Sequence, residues 1–438
     1  MAMMNFVTMT QQLHESLRAA VGDRLTSCVP LKELIPIPLV VFPEEEFAKL
    51  AGALHLVLSA QQKILRALRA TSSQEALLER FCVPRTVWRW VDWDVLDAGE
   101  YVIGRVDIVP MPSGGYKFCE LNIGPAIEGP QMHGHCESFL RTLGLSTRTF
   151  SGGGSPYLDL GRIVRDRCRR EERDRVVILD LDSYHTDGPL VYDELKRYFD
   201  AQCTECEVHL IKVSEYREEW LRKDEGKRTL VYRLFLEDEM HGQAEWDLLG
   251  KIIDSGAALL NTYENYILSS KSWFHLLHDV TYRPLLSKEE VLAIETFVPV
   301  THEINAGNMD ALLVDKDRLV FKMSNSTEGK GVLIGSEHSA ATLQSALEDR
   351  LHEWTAQEFV QAIAPEFPQT HWSRVVAQNA VLGLYHVDGH CSGLLYRCNA
   401  NKRVVNLASG GKVSWALRVT DEEYRALLRQ VAALARAA

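Results

Sequence analysis

No apolar run in this 438-residue chain approaches the roughly 18 residues that a membrane span needs. The longest, such as Leu34-to-Phe42, is short and holds two prolines. The first twenty residues lack a basic stretch followed by an apolar one, so no secretory signal is expected. Nine cysteines is an odd count without framework spacing, which predicts reduced thiols and a cytoplasmic location. An excess of positive charge is also missing. Lys and Arg total 48 against 60 Asp and Glu, a net charge of −12, which removes any bulk electrostatic reason to bind nucleic acid or an anionic membrane. There is no internal repeat, and Ser151-Gly152-Gly153-Gly154-Ser155, read as a linker or loop, is the only low-complexity stretch.

What is there is an ordinary globular balance, with 46% hydrophobic and 25% charged residues. The length suits two to four structural units at about 100–200 residues each. From Glu44 to Ala70, Phe47, Leu50, Leu54, Val57, Leu58, Ile64, Leu65 and Leu68 recur at close to helical spacing, after a Pro-Glu-Glu-Glu start. Trp88, Trp90 and Trp93 crowd one segment and are expected to pack in the core. Beyond Gly99 the pattern turns to strands, with Tyr101-to-Val109 and Tyr116-to-Asn122 flanking the turn Pro112-Ser113-Gly114-Gly115. Strands Arg175-to-Leu181 and Thr229-to-Phe235 alternate with helices 188–200 and 246–258, which predicts an α/β unit with a mostly parallel sheet. Further strands are expected at 319–323, 332–334 and 355–360, with helices at 339–351 and from Asp421 onward.

The most informative residues are Arg105-x-Asp107 and Glu120-x-Asn122 on the two hairpin strands. Side chains two apart on a strand share a face. A two-residue turn at Ser113-Gly114 sets Asp107 opposite Glu120 and Arg105 opposite Asn122, one at Gly114-Gly115 still keeps all four on one face, and a three-residue loop puts the two pairs on opposite faces. Facing carboxylates repel unless a positive charge lies between them. Arg105 can supply part of it. Two carboxylates and an amide oxygen also form a hard-oxygen set suited to Mg²⁺ shared with phosphates. A solvated surface ion cluster and a metal site both fit these four residues.

Lys322 closes the apolar strand Leu319-Val320-Phe321 and is followed by Ser324-Asn325-Ser326-Thr327-Glu328-Gly329-Lys330-Gly331. A P-loop is excluded, because position 324 is Ser and Gly331 follows Lys330. A dinucleotide fingerprint fits poorly, because the loop leads into a strand. A bland turn remains open, as does a glycine hairpin whose amides and lysines fold over phosphates. Gln357-Glu358-Phe359-Val360, and Arg397 and Asn406 before Ser409-Gly410-Gly411, complete a set of individually weak signals.

Taken together, these pieces resemble the nucleotide half of the ATP-grasp enzymes, with Lys271 and the later Phe297-to-Thr301 segment similar to that superfamily's first nucleotide lysine and its sequel. The acid pair and Glu-x-Asn come first here rather than last. That order resembles the circularly permuted branch typified by glutathionylspermidine synthase. The resemblance spans about residues 99–415 and implies an α/β (α+β) fold with four parts. These are a mostly helical segment 1–98, a hairpin region 99–150 with the metal ligands, an α/β pre-ATP-grasp-like unit 151–260 and nucleotide-binding subdomains 261–438.

The resemblance further implies a ligase that joins a carboxylate to an amine through an acyl phosphate, with ATP and one or two Mg²⁺ ions. By it, Asp107, Glu120 and Asn122 hold the metal. Arg105 and Arg397 hold the carboxylate and the intermediate. Lys271, Lys322, Gly329, Lys330 and Gly331 surround the phosphates. Gln357, Glu358 and Val360 line the nucleotide, with adenine on the main chain of Glu358 and Val360. The chain has no room for the amidase domain of the bifunctional glutathionylspermidine synthases, which favours a specialised ligase acting on a small peptide, amino acid or polyamine.

A small-molecule kinase and a catalytically silent nucleotide-binding scaffold are the competing classes. Cys203-x-x-Cys206 invites a zinc or redox reading but has no second pair nearby. His133 and His135 follow the hairpin and are candidates to line a substrate pocket. Asp182, His185, Thr186 and Asp187 follow a buried strand where α/β sheets bind ligands, and Arg233 is a candidate for a substrate carboxylate.

Overall fold

The helical period at 44–70 becomes one long helix, Glu44–Thr71, in which the apolar residues named above are all buried. Its three glutamates occupy the first turn, where the helix dipole favours acids. This computed structural model describes residues 5–21, 39–98, 103–124, 127, 129–145, 154–183, 189–327, 329–368, 375–405 and 410–437.

Among these residues the strands run, in chain order, β1 (Val40–Pro43), β2 (Ile103–Pro110), β3 (Tyr116–Ile123), β4 (Arg175–Asp180), β5 (Glu207–Lys212), β6 (Thr229–Arg233), β7 (Ala258–Leu260) and β8 (Thr301–Glu303). They continue as β9 (Leu319–Met323), β10 (Val332–Ile334), β11 (Trp354–Glu358), β12 (Glu366–Pro368), β13 (Val375–Ala377), β14 (Asn379–Val387), β15 (His390–Asn399) and β16 (Lys412–Val419). The architecture is mixed α/β with several sheets. The largest has the order β1-β16-β15-β14-β2-β3 and is antiparallel except where β1 lies beside β16. A second, antiparallel sheet has the order β10-β9-β11-β8. The third, β5-β4-β6-β7, is wholly parallel, as the alternation of strands and helices predicts.

Alternation of side chains gives the six-stranded sheet two different faces. Val106, Ile108, Leu121, Leu382, Leu384, Leu394 and Tyr396 join the core that includes the long helix. Tyr385, Leu395, Val413, Trp415 and Leu417 pack on the other face against helices Phe6–Val21, Met132–Thr142 and Asp421–Ala437. At the β2–β3 end that second face carries Arg105, Asp107, Glu120 and Asn122.

The turn between β2 and β3 is longer than the two residues expected. Met111 N–H donates to Gly115 O at 3.1 Å and closes a three-residue loop, with Gly114 and Gly115 in the left-handed region at φ 85° and 83°. Near the loop Ile108 pairs with Phe118, a register that by itself puts Asp107 and Glu120 on opposite faces. A β-bulge then leaves Cys119 as an extra residue, and beyond it Asp107 faces Glu120 and Arg105 faces Asn122. The expected pairing is therefore present, by a different route.

Other boundaries moved for local reasons. The helix expected to reach Ala258 ends at Asp254, because Gly256 turns through φ 85° and feeds β7. The helix expected at 339–351 stops at Leu347 and continues as a tighter turn broken at Arg350. The strand expected to reach Val360 ends at Glu358. Strands β14 and β15 carry no alternating signal because both of their faces are buried.

Leu382 lies in the central strand β14 and is fully buried, whereas Val375 is 52% exposed. Leu382→Ala is expected to lower stability by about 2–5 kcal/mol in denaturant titrations, against a change within about 0.5 kcal/mol for Val375→Ala.

Candidate active site

Asp107 is the most constrained carboxylate of the hairpin. Arg105 Nε donates to its Oδ1 at 3.0 Å, and Arg397 Nη2, from β15, lies 2.5 Å from its Oδ2. All three side chains are buried. Burial pushes the Asp107 carboxyl up, but the two guanidiniums outweigh it and hold the group below its ordinary value of 3.8. Gly383, in β14 opposite Asp107, makes room for this cluster: a Cβ there would sit 2.6 Å from Arg105 Cδ. Arg397 Nε has no hydrogen-bond partner among the described residues.

Two lysines approach the hairpin from elsewhere in the chain. Lys271 is buried; its Nζ lies 2.9 Å from Glu120 Oε1 and donates to Ser326 O at 2.7 Å. Its backbone N–H donates to Ser324 O, which ties the start of the glycine loop to it. Lys322 Nζ, on β9, donates to Cys119 O at 2.9 Å and to Gln357 Oε1 at 2.7 Å. The bulge residue thus supplies one of the carbonyls that hold this lysine. Burial depresses the Lys322 ammonium below its ordinary value, with nearby charges acting in both directions. Gln357 is held in turn by donating to Thr301 Oγ1 at 3.2 Å.

A cavity of about 300 Å³ opens beside these groups, lined among others by Glu120, Asn122, Asp238, Tyr266, Lys271 and Thr327. Asn122 Nδ2 is buried without a hydrogen-bond partner among the described residues. Arg105 and Arg397 pair with Asp107, Lys271 pairs with Glu120 and Lys322 rests on neutral oxygens, while Glu237 and Asp238 also line the cavity. Among the described residues no group of three or more His, Cys, Asp or Glu side chains is placed to hold a metal ion. Glu120 and Asn122 line the cavity, whereas Asp107 has an arginine against each of its oxygens.

The remaining candidates divide. Gly329 and Gly331 have φ of 74° and 65°, as a tight glycine hairpin requires, and Lys330 is exposed beside them. Glu328 lies outside the described residues, as do Asn406, Ser409, His185, Thr186, Asp187 and residues 151–153. The Glu358 N–H donates to Val300 O at 2.8 Å, so it is not the free donor that an adenine edge would need. Val360 lies just past the end of β11. His133 and His135 sit on helix Met132–Thr142, with His133 buried edge-on to Trp415. Asp182 accepts from Ser214 Oγ and its backbone N–H. Arg233 is fully buried in an ion pair with Glu237, which itself lines the cavity. Cys203 and Cys206 are free thiols near Cys168.

A scan against protein families finds no match, and no curated protein matches the sequence. Among solved structures, the chain is similar to a glutathione synthetase-like effector, GSS30, from Globodera pallida, in its apo form, with a TM-score of 0.54. The match covers 95% of this chain and 98% of that one at 12% identity. The likeness is one of fold.

Sequence reading did not single out Gly383, Cys119 or Thr301. A lone glycine inside an apolar strand signals close approach, and Leu382-Gly383-Leu384 carries that signal. Nothing local marks the other two.

Because the Asp107 carboxyl titrates lower in the folded chain than in the unfolded one, its stabilisation is present above the unfolded value and is lost as pH falls through the folded value. Asp107→Asn removes the charge between two buried arginines and is expected to cost about 3–5 kcal/mol at pH 7. Denaturant titrations at pH 7 and pH 3 should show the deficit narrowing at acid pH.

Proposed function

We propose that the chain is an ATP- and Mg²⁺-dependent carboxylate–amine ligase of the ATP-grasp type, with the acid-bearing hairpin ahead of the nucleotide sheet as in the circularly permuted branch. The observation that carries this reading is the meeting of Lys271 and Lys322 with the Glu120–Asn122 strand, beside a cavity that Lys271, Glu120 and Asn122 line. The fold likeness to a glutathione synthetase-like protein supports it.

In this reading the γ-phosphoryl group passes to a substrate carboxylate oxygen, giving an acyl phosphate and ADP. The amine nitrogen then attacks the acyl carbon, phosphate leaves, and the amine proton is released as the amide forms. Lys271 and Lys322 bind the phosphates in exchange for their present partners, Glu120 and Gln357. Gly329, Lys330 and Gly331 form the turn that folds over them. Gln357 positions Lys322, and the segment Glu358-to-Val360 lies against the base. Arg105 and Arg397 bind the carboxylate and the tetrahedral intermediate through their planar forks, and Asp107 orients both. Glu120 and Asn122, with Asp107 adjacent, would hold Mg²⁺, which when bound neutralises charge on the phosphates.

A non-hydrolysable ATP analogue at about 100 times its dissociation constant should stabilise the protein by about 2.7 kcal/mol. The gain should require Mg²⁺, fall sharply in Lys322→Met, and lose its Mg²⁺ dependence in Glu120→Gln. No shift in the wild type overturns the reading. Where the analogue binds, ADP release that needs an amine separates a ligase from a kinase.

A further inference from the structure

A second and larger cavity, of about 550 Å³, lies at the C-terminal end of β7, where the parallel sheet meets helix Pro156–Arg170 and the β14–β15 turn. Ile123 and Asn265 line both this cavity and the one described above, so the two share a wall. Its polar groups are the informative part. Asn261 is 5% exposed, and neither its Oδ1 nor its Nδ2 has a hydrogen-bond partner among the described residues. Asn265, also 5% exposed, has an unpartnered Oδ1. Glu264 is 2% exposed, and its carboxylate accepts the Asp92 N–H. Unpaired buried polar atoms are costly, so the two amide oxygens call for donors from a ligand or water, and Asn261 Nδ2 for an acceptor.

The arginines of the wall do not neutralise Glu264. Arg167 pairs with Glu171 at 2.7 Å and donates to Leu259 O, Arg170 lies 3.8 Å from the same Glu171, and Arg162 pairs with Asp159 at 3.2 Å. Glu264 and Asp388, at the rim, have no ion pair among the described residues. Burial pushes the Glu264 carboxyl up to about 7, a cost that an adjacent cation relieves. An ammonium carries three N–H donors and no acceptor, which matches Asn261 Oδ1, Asn265 Oδ1 and Glu264.

We propose that this second cavity binds the amine substrate, a primary amine whose ammonium end is recognised by Glu264, Asn261 and Asn265, beside the wall it shares with the phosphate-side cavity. The substrate role rests on the ligase reading above. A peptide N-terminus and a polyamine share this chemistry.

Calorimetric titration of the full chain with glycylglycine, 1,4-diaminobutane and N-acetylglycylglycine tests it. Saturable binding of glycylglycine or of the diamine is expected, and which one binds identifies the source of the amine. The acetylated peptide should not bind, and Glu264→Gln and Asn261→Leu should each weaken the amine at least tenfold. The acetylated control uses wild-type protein and remains decisive if a variant misfolds. Binding of neither amine, or equal binding of the acetylated peptide, overturns the proposal. The ATP-analogue titration separates the two readings. Nucleotide binding without amine binding sinks this pocket assignment alone, and amine binding without nucleotide binding sinks the ligase reading and the substrate role with it.

Discussion

Side chains on a strand alternate between faces, so one residue more or less in the β2–β3 pair decides whether the charged groups of the hairpin meet. Cys119 is that residue. The three-residue loop sets a register that separates Asp107 from Glu120, and the bulge at Cys119 shifts the pairing by one. The same bulge residue provides the carbonyl that Lys322 holds, linking the six-stranded sheet to the β9 strand. The cross-strand set of acids, and the approach of the second sheet to it, both depend on this local insertion.

Charge pairing then accounts for how the cluster is held together. Four cations with two anions would repel in a buried site if left unpaired. Instead Arg105 and Arg397 share Asp107, Lys271 pairs with Glu120, and Lys322 rests on neutral oxygens of Cys119 and Gln357. Asp107 has an arginine against each oxygen and lies off the cavity lining, whereas Glu120 lines the cavity, a difference that separates two carboxylates equivalent in the sequence pattern. Gly383 permits this packing by leaving the space that Arg105 crosses.

Asn265 occupies a comparable position between two cavities of different character. On one side are Lys271, the Ser324–Thr327 start of the glycine loop and the Glu120–Asn122 strand. On the other are Asn261, Glu264 and helix Pro156–Arg170, which contributes Asp159 and Asp166 as well as Arg162, Arg167 and Arg170. The two cavities share a wall at Ile123 and Asn265, and under the ligase reading that wall would separate the phosphate side from the amine.

Periodic and compositional features were legible from the chain alone. The long helix beginning at Glu44, the hairpin strands, the parallel character of the sheet built around Arg175–Asp180 and the hairpin at Lys322 follow from local spacing, turn residues and apolar runs, which act over a few residues. The pairing of Asp107 with Glu120 was legible only by assuming a two-residue turn, and it holds because the bulge compensates for the actual loop. Strands β14 and β15 were hidden because burial on both faces erases alternation. The partnership of Arg397 with Asp107, that of Lys271 with Glu120, and the unpartnered amide of Asn261 were decided by tertiary structure. These contacts join residues far apart in the chain, and whether a polar atom finds a partner depends on which strand or helix is packed beside it rather than on its neighbours in sequence.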